Sequence, residues 1–188
     1  IREYLRFLWK EENTQNLEEE QKIINFLSST LKEELYLEAY GSILKEHPMF
    51  YTNFSEKTIR KLVSRIRETR LFPDEKVFNE GEDDDYSIYF IIKGKVELLT
   101  STKTIENSLK HLGVGDHFGE LCFFTGKPRI FSARSKDFTT LFSIPRVEFL
   151  SVLEKNPEDY EKFCMVRDQI LLYGNHNPLK IRCFCCGK

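Results

Sequence analysis

The sequence predicts an α+β domain, a β-roll of jelly-roll type flanked by helices and preceded by a helical segment. Three observations carry this. Apolar residues recur at helical spacing up to Ile66, short runs rich in β-branched and aromatic residues fill 71–144, and helical spacing returns from Val147. At 188 residues the chain is long enough for one full domain with a smaller helical appendage.

Ile1, Leu5, Leu8 and Trp9 share one face of an opening helix whose other faces carry Arg2, Arg6, Lys10 and Glu11. A second helical run covers roughly Leu17 to Leu27. Thr30-Leu31-Lys32-Glu33 reads as a capping box that starts a third helix, bearing Leu37, Tyr40, Ile43 and Leu44 and stopping before Pro48. Ser55 then caps a helix with Ile59, Leu62, Val63 and Ile66 on one face. After Arg70 the period changes. Strands are expected at 71–72, 76–78, 88–92, 95–99, 108–109, 131–133 and 140–144, with Gly81 and Gly94 at turns. Val147, Phe149, Leu150 and Leu153 mark a helix before Asn156-Pro157, and a last helix runs from 158 to 173, ended by Gly174.

The 28 basic and 30 acidic side chains nearly cancel, which argues against nucleic acid as a partner. No run of 18 apolar residues occurs, and Ile1 already lies within a helical pattern, so the chain reads as a piece of a longer protein. Cys122 and Cys164 sit in apolar neighbourhoods and read as reduced core thiols. Cys183 and Cys186 have the C-x-x-C spacing of half a zinc site, in a Cys-rich tail at 175–188 that also reads as a plain reduced cluster. Glu82-Asp83-Asp84-Asp85 lacks the ligand ladder of a calcium loop and reads as a solvated turn. His47, His111 and His176 read as isolated, and His117 as a packed or half-exposed turn histidine. No Ser-His-acid or Cys-His set and no phosphate-binding P-loop appears, which weighs against an enzyme.

The chemistry concentrates between Gly113 and Arg134, in G-V-G-D-H-F-G-E-L-C-F-F-T-G-K-P-R-I-F-S-A-R. Gly115 and Gly119 permit close backbone approach, and Leu121 to Phe124 suit a short helix behind them. Glu120 and Arg129 bring opposite charges, one fit to accept from a hydroxyl and the other to fork onto a phosphate. This stretch resembles the phosphate-binding cassette of cyclic-nucleotide-binding domains, most closely over Phe118-Gly119-Glu120-Leu121-Cys122, Arg129 and Ser132-Ala133-Arg134. It departs at Ile130 and Phe131, where the family usually has a hydroxyl residue and then Ala.

The opening I-R-E-Y-L-R-F-L-W-K-E-E and the later L-K-E-E-L look like the C-linker of hyperpolarisation-activated and cyclic-nucleotide-gated channels. The resemblance implies a partial helical C-linker at 1–50, a cyclic-nucleotide-binding domain at 51–174, and the cytoplasmic region of a membrane channel that couples ligand binding to pore gating. It further implies cyclic AMP or cyclic GMP as ligand and other subunits of a homotetramer as partners. Phe118, Gly119, Glu120, Leu121, Cys122, Arg129, Ile130 and Phe131 would line the site, with Gln169, Ile170 and Tyr173 on a lid helix nearest the base. Two alternatives stay open: a homology domain of the ether-à-go-go type that binds no nucleotide, and a kinase-regulatory or scaffold domain. Phe131 separates the first of these, because a ring turned into the pocket blocks a phosphate and a ring turned into the roll does not.

Overall fold

The computed structural model describes residues 22–24, 26–102 and 105–175. Its helices are α1 (Ser29–Glu46), α2 (Pro48–Asn53), α3 (Glu56–Val63), α4 (Glu120–Thr125), α5 (Arg146–Leu153) and α6 (Pro157–Tyr173). Its strands are β1 (Arg67–Leu71), β2 (Lys76–Phe78), β3 (Ile88–Lys93), β4 (Val96–Thr102), β5 (Ile105–Leu112), β6 (His117–Phe118), β7 (Ser132–Ser135) and β8 (Thr139–Ile144). Two four-stranded antiparallel sheets, ordered β1-β8-β3-β6 and β2-β7-β4-β5, make the roll.

The near-continuous apolar runs of β3 and β8 follow from burial on both faces. Side chains alternate across a strand. Ile91 and Leu141 turn inward, into a cluster with Phe78, Leu98, Phe118, Phe131 and Ala133. Ile88, Phe90, Phe142 and Ile144 turn outward, where Phe50, Phe54, Leu62, Phe149 and Phe163 cover them. The helix-side core also takes in Leu44 and Met49, so packing is continuous across residue 50. Edge strand β1 is charged instead of apolar, Arg-Glu-Thr-Arg-Leu, with alternating exposure.

Several elements differ from the sequence expectation, including α2, which was not expected, and β5, which is longer than the expected 108–109. Helix α1 is capped by Ser28, whose hydroxyl accepts from Leu31 N at 3.3 Å, two residues before the expected capping box. Strand β1 starts at Arg67, because pairing with β8 overrides its polar composition. Strand β6 carries no sequence signal, since two residues show no period. The expected helix at Ile1 to Trp9, residues 17–21 of the second run, and Cys183 and Cys186 all lie outside the described residues.

Ser55 caps α3 as expected, accepting from Thr58 N at 3.4 Å. It is itself fastened to the start of α6: buried Asp159 accepts from Ser55 N at 3.0 and 3.1 Å and from its hydroxyl at 2.5 Å, and Asn156 Nδ2 donates to Asp159 at 2.8 Å. This clamp fixes the root of the last helix against the roll's first helix.

On the other sheet, Glu97 is buried yet surrounded by Arg134 (3.0 Å), Lys136 (3.2 Å) and His111 (3.4 Å). Burial alone pushes its carboxyl up, but hydrogen bonds from Arg134, Ser108 and Lys136 outweigh that and bring it to about 2. The folded value lies below the unfolded one, so this stability is present above pH 4.5 and is lost as pH falls towards 2. Glu97→Gln is expected to lower the urea midpoint at pH 7 and to flatten its decline between pH 4.5 and 2, a comparison that denaturation series at both ends of that range check.

Candidate functional site

The cassette is built where β6 runs into α4. Gly119 adopts φ 88° at the N-cap of α4, a left-handed conformation that L side chains rarely adopt. A Cβ there would lie 2.8 Å from both Arg129 Nη1 and Ser87 O, so only glycine lets the arginine approach. Phe123 N donates to Gly119 O at 3.1 Å and Gly126 N to Cys122 O at 2.8 Å, closing the short helix at both ends. The Cys122 thiol is buried and leans on Pro128 O at 3.4 Å.

Arg129 is the largest fully buried side chain in the chain's described part. Its guanidinium lies over the Phe78 ring, 4.1 Å from the centroid, with Tyr89 at 5.6 Å. Tyr89 in turn stacks on Phe118, ring centroids 5.1 Å apart. Burial pushes the Tyr89 phenol up to about 12, against the pull of the Arg129 charge. The aromatic walls hold the cation with little water, which strengthens every charge contact it makes.

The partner of Arg129 is Asp84. Arg129 Nε donates to Oδ1 at 3.1 Å and to Oδ2 at 3.0 Å, and Nη2 donates to Oδ2 at 2.9 Å. Nothing local in the sequence singles Asp84 out, and 82–85 is not merely the solvated turn expected, since Asp84 pairs with a buried arginine. The run folds as successive Asx turns: Asp84 Oδ1 accepts from Tyr86 N at 2.8 Å, Asp85 Oδ1 from Ser87 N at 3.0 Å, and Asp83 from the Tyr86 hydroxyl. Backbone bonds Gly81 N to Arg129 O (2.7 Å) and Arg129 N to Glu82 O (3.3 Å) lace this turn to the cassette. Asp84 is thereby aimed inward.

Within the cassette, two buried side-chain atoms have no hydrogen-bond partner among the described residues: Arg129 Nη1 and Glu120 Oε2. Burial raises the Glu120 carboxyl to about 7, with a backbone hydrogen bond and the Arg129 charge pulling the other way. A vacant donor and a vacant acceptor thus sit in one cassette.

The remaining sequence-predicted residues fall as follows. Leu121 is half-buried and packs on the helix-side core. Phe131 is buried in the roll, 5.9 Å from Phe78 between ring centroids, so its bulk goes into the core. Ile130 is solvent-exposed. Gln169, Ile170 and Tyr173 end α6; Ile170 is buried in the helix-side core and Tyr173 is 78% exposed. No hydrogen bond joins these three to Glu120 or Arg129 among the described residues. The histidines correct another expectation: His47 is not isolated, since its Nε2 lies 2.9 Å from His117 Nδ1, and His111 pairs with Glu97.

Comparison with known proteins places this geometry. Residues 68–156 match the cyclic nucleotide-binding domain model. Over those residues the roll is similar to cyclic nucleotide-binding domains. The domain and its flanking helices are similar to channel sequences. The potassium/sodium hyperpolarization-activated cyclic nucleotide-gated channel 4 of Homo sapiens is 28% identical over 139 residues, 74% of this chain and 11% of that protein. Channel 1 of the same series, also from Homo sapiens, is 27% identical over 168 residues, 88% of this chain and 18% of that protein. The potassium channel KAT1 of Oryza sativa subsp. japonica is 23% identical over 142 residues, 74% of this chain and 19% of that protein. The chain therefore spans less than a fifth of the length of these curated relatives. No helix among the described residues is long and apolar enough to cross a membrane. No cluster of three His, Cys, Asp or Glu among them is placed to hold a metal ion.

Proposed function

We propose that this domain binds cyclic AMP or cyclic GMP as the cytoplasmic regulatory region of a tetrameric potassium or cation channel, and that it is not an enzyme. The observation that carries the reading is the buried pair of unpartnered polar atoms, Arg129 Nη1 and Glu120 Oε2, beside a glycine whose missing side chain lets the arginine approach. A cyclic phosphate supplies acceptors for the first, and a ribose hydroxyl supplies a donor for the second. Phe118, Leu121 and Cys122 shape the cassette, and Ile130 lies at its exposed rim. Gln169, Ile170 and Tyr173 are proposed to reach the base only when α6 closes.

Closure is the regulatory step. A ligand shifts a conformational equilibrium only by its differential affinity for the two states, and here that difference comes from α6 contacts made over a filled site. The clamp at Ser55 and Asp159 gives α6 a fixed root to turn about, and α1 and α2 share the core that α6 presses on. Movement of α6 is thereby passed to the proposed linker helices and on to a pore in the longer protein.

Titration with a fluorescent cyclic AMP analogue, competed with unlabelled cyclic AMP and cyclic GMP, tests the reading. Saturable, competable binding supports it. Absence of saturable binding favours the homology-domain alternative, whose support here is the Asp84 carboxylate on Arg129 and the missing hydroxyl at Ile130.

The pH dependence follows from Glu120. A ribose hydroxyl donates to the ionised carboxyl, whereas the empty site holds the proton up to about pH 7. Binding therefore releases a proton below that value, and affinity is expected to fall towards about tenfold per pH unit as pH drops from 7 to 5.5. Glu120→Gln should bind more weakly at pH 8 and lose this slope; an unaltered slope in the variant removes Glu120 from the account.

A further inference from the structure

His47 and His117 come from elements 70 residues apart and meet with Nε2 of the one 2.9 Å from Nδ1 of the other, rings nearly perpendicular. His47 is the single residue between α1 and α2, closing one helix and preceding Pro48 at the start of the next. His117 opens β6, which pairs with β3 and leads directly into Gly119 and Glu120. The pair is thus a direct polar bond between the proposed linker helices and the strand that carries the cassette.

The two rings line a cavity of about 720 Å³ between α1 and the roll, whose walls include Ser42, Ile43, Phe90 and Phe142. His47 makes edge contacts with Phe50 and Phe90. Two charged groups act on His117 among the described residues. Asp116 comes from the turn before β6 and is occupied by Gly113 N at 2.8 Å; Lys110 comes from β5. The faces of α1, α2, β3 and β8 against the rings present Ala39, Ser42, Phe50, Phe90, Ile91, Ile92 and Phe142, none of them ionisable.

We propose that His47 and His117 form a proton-sensitive latch that docks the α1–α2 corner onto the cassette strand and releases it on acidification. Two neutral imidazoles share one N–H···N bond, and a single extra proton leaves that bond in place. A second proton sets two N–H donors head to head with two positive charges, and the bond is lost. Burial holds His117 below the ordinary histidine value, with Asp116 opposing and Lys110 adding to the shift. The sign follows: a histidine depressed in the docked state stabilises docking fully above its ordinary value, about 6.5, and that stability declines as pH falls below it. The inference stands apart from the nucleotide reading, since it needs no ligand.

Amide hydrogen exchange on the whole chain at pH 7.5 and 5.5, corrected for intrinsic rates, tests the latch. Protection of the amides of residues 43–51 is expected to fall by up to about tenfold at the lower pH while that of 163–170 in α6 holds. His117→Phe keeps an aromatic ring without a titrating group and is expected to show equal protection at both values. Equal protection in the unaltered chain, or the same fall in the variant, overturns the proposal. Long-range ¹H–¹⁵N spectra of the unaltered chain give a reading independent of any variant. One shared N–H···N with coupled titration of both rings supports the latch, and two independent titrations at ordinary histidine values overturn it.

Discussion

Asp84→Ala is expected to destabilise the empty domain by about 3 kcal/mol, because it leaves the Arg129 guanidinium buried without its counter-ion. The same substitution is expected to tighten cyclic nucleotide binding, by about tenfold or more. Asp84 and a ligand phosphate are two anions drawing on one cation, so each weakens the other, and removing the resident anion returns that penalty to the ligand. Thermal denaturation with and without cyclic AMP checks both halves. The variant should melt lower when empty and show a larger ligand-induced rise than the unaltered chain. An equal rise in both would mean that the ligand does not engage Arg129.

Arg129→Gln is the second large effect. It removes the guanidinium whose unpartnered Nη1 is proposed to donate to the phosphate, so binding is expected to weaken by about tenfold to a hundredfold through loss of a charge-assisted hydrogen bond. It also strands the Asp84 carboxylate, at 17% side-chain exposure, and lowers stability. The double substitution Arg129→Gln with Asp84→Asn separates the two consequences. Two neutral amides restore stability, whereas binding stays lost, because no cation remains for the phosphate. Recovery of binding in the double variant would contradict the role given to Arg129.

The sequence made the roll legible because its physics is local: short runs rich in β-branched and aromatic residues at 76–78, 88–92 and 140–144 and helical spacing from 147 declare themselves in short windows. The glycine at 119 and the Glu120 and Arg129 pair were equally visible as residue types with a chemical purpose. Asp84 was not. It sits in a run of four acids, and nothing local distinguishes the carboxylate that turns inward from its solvated neighbours; the Asx turns and the backbone lacing to residue 129 decide it, 45 residues away. The contact between His47 and His117 was hidden for the same reason. Phe131 shows the converse: the residue type was conspicuous, but only the fold says that its ring enters the core behind Phe78.

The measurement that bears most directly on the central claim is the Nε–Hε resonance of Arg129 during titration with cyclic AMP, assigned by its absence in Arg129→Gln. This signal, held in the empty domain by Asp84, is expected to shift saturably as the phosphate draws on the guanidinium, with a midpoint matching the fluorescence competition. A signal that stays in place at saturating cyclic AMP would contradict the account, and the site would then be one in which Asp84 permanently fills the phosphate position.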